Sequence, residues 1–231
     1  MIYSFRCILS WQLLSGAAGM VNGFAFLLCS EFVTHMTGTV TRVGLEWEAV
    51  SLMFEYFFIV TSFVLGAAIS VAAINVRSPQ AKRAPWVVPL CLVTSILSAV
   101  AISGALGVFG PICSTFSQGS PAVFMLSFLA FAMGIQNAAI PGASGLGVRT
   151  THLSGHATNL GIQLATVCFS QGKARQTALH GVFLRGGKII SFAIGAAFAV
   201  PLTNRLGFLT LLAPAACVLS AILISQSADG P

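Results

Sequence analysis

Residues 34–44 read THMTGTVTRVG, and residues 151–161 read THLSGHATNLG. Five of the eleven positions are identical, and most of the others are close substitutions. Each copy follows a Gly-x-x-Asn and precedes a Phe-x-x-Gly-Ala-Ala match, which begins at Phe63 in the first half and at Phe192 in the second. Three matches in the same order predict a duplicated chain, with repeats at 10–109 and 121–225. Two copies of one unit in a membrane protein often build a site between them.

The composition is that of a membrane protein. Apolar residues make up 56% of the chain and charged residues 7%, which is too little charge to cover a soluble globule. The formal net charge is +6, but the cations fall mainly between apolar runs. That distribution follows the positive-inside rule and not a nucleic-acid-binding stripe, so the expected partner is the lipid bilayer and not nucleic acid.

Enzyme and cofactor signatures are absent from the sequence. It has no His-Glu-x-x-His, Gly-x-Ser-x-Gly or Walker-type glycine pattern, and its six cysteines show no Cys-x-x-Cys spacing. The first apolar run imitates a signal peptide, but Gly19 and Asn22 belong to the first repeat, so we expect it to be retained as a helix. We therefore predict neither an enzyme nor a bound cofactor or metal.

Six apolar runs are long enough to cross a bilayer, which takes about 20 residues. They are 10–30, 54–75, 86–109, 121–140, 181–202 and 206–225. Two shorter apolar segments, 36–48 and 155–170, contain the repeated motif. They either cross as well, which gives eight spans, or dip in and return as half-helices, which leaves six.

The basic residues favour six spans. With a cytoplasmic N-terminus, the cytoplasmic side then receives Arg6, Arg77, Lys82, Arg83, Arg149, Lys173 and Arg175. With eight spans the 77–83 cluster would face outward, against the positive-inside rule. Arg42 and Arg205 fall on the outer side. We expect Arg185 and Lys188 to snorkel from the start of the fifth span, and Glu31, Glu46 and Glu48 to be solvated near helix ends.

Three crossings and one partial helix per repeat put the second copy upside down relative to the first. The predicted fold is all-α: one integral-membrane domain over 1–231, with six transmembrane helices and two re-entrant helices as 3+3 inverted repeats. This architecture is common among secondary transporters. The second copy carries twelve extra residues, which include Gly172-Lys173-Ala174-Arg175 and which we expect to form a cytoplasmic loop.

Four segments carry a resemblance to a known family. They are GMVNG at 19–23, FVTHMTGT at 32–39, GIQNA at 134–138 and VRTTHLSG at 148–155, and in combination they resemble the YoaK family. The resemblance implies a bacterial inner-membrane protein with about six spans, and it implies no substrate. Family members commonly have an acidic residue where Asn22 stands and Thr-Gly-Asn where residues 37–39 stand. The first difference removes a carboxylate that could couple transport to protons.

Polar residues inside apolar spans cost free energy and therefore indicate candidate function. The predicted solute-binding residues are Asn22, His35, Thr37, Gly38, Thr39, Gln136, Asn137, Thr151, His152, Ser154, Gly155 and His156. Thr37-Gly38 and Ser154-Gly155 have the form of helix starts with a capping hydroxyl. A half-helix N-terminus inside the bilayer suits an anionic group. His35, His152 and Glu55 are the candidates for proton coupling.

Helix packing and metal binding are the other interpretations of these residues. Asn, Gln, Ser and Thr in membrane helices often only bond a neighbouring helix, at about 0.6 kcal/mol each. His152 and His156 have a metal-compatible i, i+4 spacing, but no acidic or cysteine residue accompanies them.

The leading prediction is a secondary transporter or permease for a small solute, with an anion as one option. The alternative is a membrane scaffold or partner subunit. Substrate, direction, coupling ion and a homodimeric state are left open.

Overall fold

The computed structural model describes residues 5–76, 84–110, 121–144 and 153–226, and within these segments the regular structure is entirely helical. The helices are α1 (Phe5–Cys29), α2 (Met36–Leu45), α3 (Val50–Asn75), α4 (Val87–Ala105), α5 (Ala122–Ser144), α6 (Leu153–Phe169), α7 (Gly172–Leu206) and α8 (Leu212–Gln226). A 3-10 turn, Gly207–Leu211, joins the last two.

Within the described residues, five stretches are long and apolar enough to cross a membrane. They are Phe5–Cys29, Val50–Asn75, Val87–Ala105, Ala122–Ile140 and Gly172–Gln226. The last one is 55 residues long and contains both α7 and α8. The chain therefore has the apolar helices of a multi-pass membrane protein, and each predicted apolar run falls on a helix.

The two shorter segments with the repeated motif are separate helices. They begin at equivalent positions, α2 at Met36 and α6 at Leu153, but α2 has 10 residues and α6 has 17. The expectation of a loop at 172–175 is wrong, because α7 already begins at Gly172. The extra residues of the second copy lengthen both α6 and α7, which pack along each other, with the Gln163 side chain against Gly181.

The first helix of each repeat lies inside the bundle and the third lies outside it. In the most apolar window, 67% of α1 and 72% of α5 are buried, against 22% of α3. The outer face of α3 exposes large apolar side chains that suit a lipid environment, among them Phe54, Phe57 and Phe58. The core is formed mainly by α1, α4, α5 and α8.

The most extensive helix contacts join helices of different repeats, and glycines lie at these contacts. The most extensive helix pairs are α1 with α7 and α3 with α5. A Cβ added at Gly19 would overlap the carbonyl oxygen of Phe192, and one added at the equivalent Gly134 would overlap that of Phe63. Gly195 and Gly66 meet carbonyls of α1 and α5 in the same way. Small residues let membrane helices approach closely enough for dense packing.

Contacts along the chain give the direction of each inner helix. Gln136 Nε2 of α5 donates to the Leu14 carbonyl in the first half of α1, at 2.9 Å. Leu126, at the start of α5, lies beside Val33, just beyond the end of α1. The two helices therefore run antiparallel. Likewise Trp86 Nε1, before α4, donates to Ser225 Oγ near the end of α8, at 3.2 Å, so α4 and α8 are antiparallel.

We predict that Gly19→Ala and Gly134→Ala each lower the melting temperature of the detergent-solubilised protein. The added methyl forces two backbones apart, and overpacking of this kind costs about 1–3 kcal/mol. Gly161→Ala is the control, because nothing lies within 4 Å of a Cβ at that helical position. Ala there should leave the melting temperature unchanged or raise it. Equal tolerance of Ala at all three positions would contradict the packing described.

Candidate solute site

A cavity of about 490 Å³ lies between the two repeats. It is lined by six polar and five apolar residues: Asn22, Thr34, His35, Thr37, Asn137 and Ser154, with Phe32, Met36, Phe63, Leu153 and Phe192. The volume is in the range of small-molecule sites, roughly 300–1,000 Å³. Five predicted binding residues, Asn22, His35, Thr37, Asn137 and Ser154, are brought together here.

Equivalent positions of the two repeats face each other across this cavity. The lining contains four matched pairs, which are Asn22 with Asn137, Met36 with Leu153, Thr37 with Ser154, and Phe63 with Phe192. Because Met36 and Leu153 are the first residues of α2 and α6, both partial helices direct their N-termini at one space. The free N–H groups and the dipole of a helix N-terminus favour an anionic group.

Asn22 holds the entry of α2 in place. Its side-chain oxygen Oδ1 accepts hydrogen bonds from the backbone N–H groups of Val33 and Thr34, both at 3.0 Å. Two donors on one atom fix the amide orientation, so the NH₂ group is the remaining polar end of this 7%-exposed side chain. An Asp carboxylate at this position could accept the same two bonds.

His35 occupies the N-cap position of α2, and the capping role expected of Thr37 is wrong. The cap has no side-chain hydrogen bond, and Thr37 is the second residue of the helix. The His35 ring folds over the first turn, where a Cβ added at Gly38 would lie 2.9 Å from Nδ1. Phe32 supports the ring edge-on at 6.2 Å between centroids. Gly38 thus makes room for the imidazole at the cavity wall.

Other predicted residues lie outside the cavity lining. Gln136 is fully buried and ties α5 to α1, Thr39 donates from its hydroxyl to the His35 carbonyl at 3.2 Å, and His156 is buried on α6. Gly155 lies in the first turn of α6, and Glu55 precedes Tyr56 on α3. Thr151 and His152 are outside the described residues. Whether any of these residues acts on a solute stays a prediction.

An ion-pair cluster surrounds Arg42, which the sequence analysis predicted on the outer side as an exception to the positive-inside rule. Its guanidinium lies 3.6 Å from Glu31 and 3.9 Å from Glu46, and 6.0 Å from the Tyr56 ring centroid. The Tyr56 hydroxyl donates to Glu31 at 2.8 Å. Glu31 and Glu46 are therefore paired with Arg42 rather than simply solvated. The cluster joins the end of α2 to the start of α3.

Lys188 is the residue that sequence reasoning missed. It was expected to snorkel, but it is 0% exposed, and its Nζ lies 5.5 Å from the Trp11 ring centroid. The signal was present in the repeat alignment, where Lys188 stands opposite Ile59 and Trp11 opposite Leu126. A cation at a position that the other copy fills with Ile departs from the common pattern of the two repeats.

Metal-ligating groups do not cluster in the described segments. No set of three or more His, Cys, Asp or Glu residues within them could hold an ion, and no disulfide joins Cys7, Cys29, Cys91, Cys168 or Cys217 there. The polar side chains at the cavity are amides, hydroxyls and one imidazole, which suit hydrogen bonding to a solute.

Comparison with known families gives one match. The profile of a family described as "Protein of unknown function (DUF1275)" matches residues 11–224, almost the entire chain. The chain belongs to the DUF1275 family. This membership is consistent with the YoaK resemblance of its motifs, and it adds no substrate. No curated protein and no solved structure matches this DUF1275 member.

We predict that Asn22→Leu destabilises the protein and that Asn22→Asp does not to the same extent. Leu removes the acceptor for two backbone N–H groups, at a cost of about 1–3 kcal/mol. Asp retains that acceptor. Thermal unfolding in detergent should therefore place Asn22→Leu below Asn22→Asp in melting temperature, and the reverse order would refute the assigned role of Oδ1.

Proposed function

We propose that this protein is a permease for a small solute, which binds in the cavity between the two repeats. The observation that carries the proposal is the set of matched pairs around one cavity, with the N-termini of α2 and α6 directed at it. A site formed between two copies at partial helices is the arrangement in which many secondary transporters hold their substrates. We propose no catalytic role for its residues.

The proposed architecture is a 3+3 inverted repeat. The directions of equivalent helices support it. Helix α1 runs antiparallel to its equivalent α5, and α4 runs antiparallel to its equivalent α8. A two-fold axis likewise relates the close pair of α1 and α7 to the close pair of α5 and α3. An axis of this kind lying in the membrane plane lets the same cavity open to either side when the repeats rock.

In the proposed topology α2 and α6 re-enter and the other six helices cross. At about 1.5 Å per residue, α2 extends only about 15 Å, half of a hydrocarbon core. The cytoplasmic cations of the 77–83 segment then follow the positive-inside rule, and both termini lie in the cytoplasm. Arg42 on the outer side is balanced by Glu31 and Glu46. We propose the bacterial inner membrane as the location.

Sidedness of the turn after each partial helix tests the inversion. In a cysteine-free background, Glu48→Cys and Gln171→Cys occupy exposed, matching turns. We expect a membrane-impermeant thiol reagent to reach Glu48→Cys only from outside and Gln171→Cys only from the cytoplasm. Labelling of both positions from one side would mean parallel repeats and would remove the main support for a permease.

Solute flux through purified protein tests transport itself. Proteoliposomes are challenged with lactate, succinate, glycine, nitrate and glycerol, with protein-free vesicles as the baseline. We expect at least one flux that Thr37→Trp and Ser154→Trp both abolish by filling the cavity. Thr41→Trp is the matched control, because this exposed residue of α2 is outside the lining. No flux for any solute, with co-purifying partners, would favour the scaffold alternative.

A further inference from the structure

A buried lysine lies one helical turn along α7 from a residue that lines the cavity. Lys188 precedes Phe192 by four residues on α7, and residues at that spacing share a helix face. Phe192 lines the cavity, whereas the Lys188 side chain is 0% exposed. Electrostatic interactions are screened less in a protein interior than in water, so a charge next to a lining residue acts on a bound solute.

The surroundings of Lys188 form a polar layer between α1 and α7. Trp11 presents its ring to the ammonium, a cation–π geometry. Next to it in sequence, Gln12 accepts a hydrogen bond from the Ser191 hydroxyl at 3.1 Å and donates to the Leu184 carbonyl at 3.4 Å. Gly187 leaves space for the Gln12 side chain.

The shared fold does not require a lysine here. At the equivalent place in the first repeat, Ile59 and Leu126 lie together with Glu31 and Tyr56 at one small pocket. The two copies are therefore built from the same helices, yet one end of the molecule has an apolar pair and the other has a cation on an aromatic ring. The difference is specific to the second copy.

The acidic side chains Glu31, Glu46 and Glu55 lie at the end of the bundle away from Lys188. Glu31, Glu46 and Arg42 cluster beyond the end of α1, and Glu55 is adjacent to Tyr56 of the same cluster. Trp11, which marks the level of Lys188, lies 18 residues before the end of α1. That spacing corresponds to about 27 Å along the helix. Arg185, three residues before Lys188, adds positive charge at the Lys188 end.

We infer that the solute is a small organic anion, a carboxylate with an apolar body, and that Lys188 selects its charge. The inference rests on the proposed permease function. The ammonium, the two helix N-termini and the Asn22 NH₂ group all favour negative charge at the cavity. The five apolar lining residues and a volume of about 490 Å³ accommodate a hydrocarbon or aromatic body rather than a bare inorganic ion.

Binding of matched anion and amide pairs to the full-length protein in detergent tests the inference. The probes are benzoate against benzamide and lactate against lactamide, measured by titration calorimetry. The wild type should bind each anion at least tenfold more tightly than its neutral amide. Lys188→Met removes the charge at similar volume and should bring the two affinities to within about threefold, whereas Lys188→Arg should retain the preference. Arg205→Gln controls for net charge, because Arg205 is an exposed cation at the far end of α7.

Each outcome separates the inference from the proposed function. If the wild type binds amides as tightly as anions while flux occurs, the charge selection is wrong and the permease stands. If Lys188→Met keeps the anion preference, Lys188 is not the selecting residue. Should Lys188→Met fail to fold, Lys188→Ile substitutes the residue that the first repeat has there and tests Lys188, while the wild-type comparison by itself decides whether the site prefers anions. Anion-selective binding without flux overturns only transport.

Discussion

The close approach of glycine-bearing helices is the constraint on which the rest of the structure depends. Gly19 brings α1 against the backbone of α7 at Phe192, and Gly134 brings α5 against α3 at Phe63. Lipid provides no hydrophobic force between helices, so dense packing at such places stabilises the bundle. Because each of these contacts joins helices of different repeats, the same interaction that holds the protein together also forms the boundary at which the cavity lies.

The cavity follows from this packing of helices from one repeat against helices of the other. With α1 and α5 inside the bundle, their Asn22 and Asn137 side chains reach the level of Phe63 and Phe192, the residues at the glycine contacts. The partial helices close the space with their N-termini. The polar groups of each motif are thus partly structural and partly directed at the cavity. Asn22 illustrates both roles, since its oxygen fixes the backbone and its NH₂ remains a donor.

Residues that match between the two repeats and residues that differ between them indicate different properties of this protein. Matched pairs around the cavity satisfy the same packing in both copies and suit the proposed site, which would open to either side. The two ends differ in chemistry: Glu31 and Arg42 form a surface ion pair at one end, and Lys188 is buried at the other. A buried charge in a membrane protein is costly and therefore indicates function more strongly than another polar residue of the shared motif.

The sequence by itself determined the helical membrane class and the approximate start of both short helices, and it predicts a duplication, because apolar run length and repeated motifs are local properties of the chain. It also identified Asn22, His35, Thr37, Asn137 and Ser154, which lie together at the cavity. The tertiary structure decided which residues that are distant along the chain come into contact. Gln136 bonds α1 over 122 residues of separation, and Lys188 is buried because α1 covers it with Trp11. Burial and partners depend on which helices pack together, and only the folded bundle sets that.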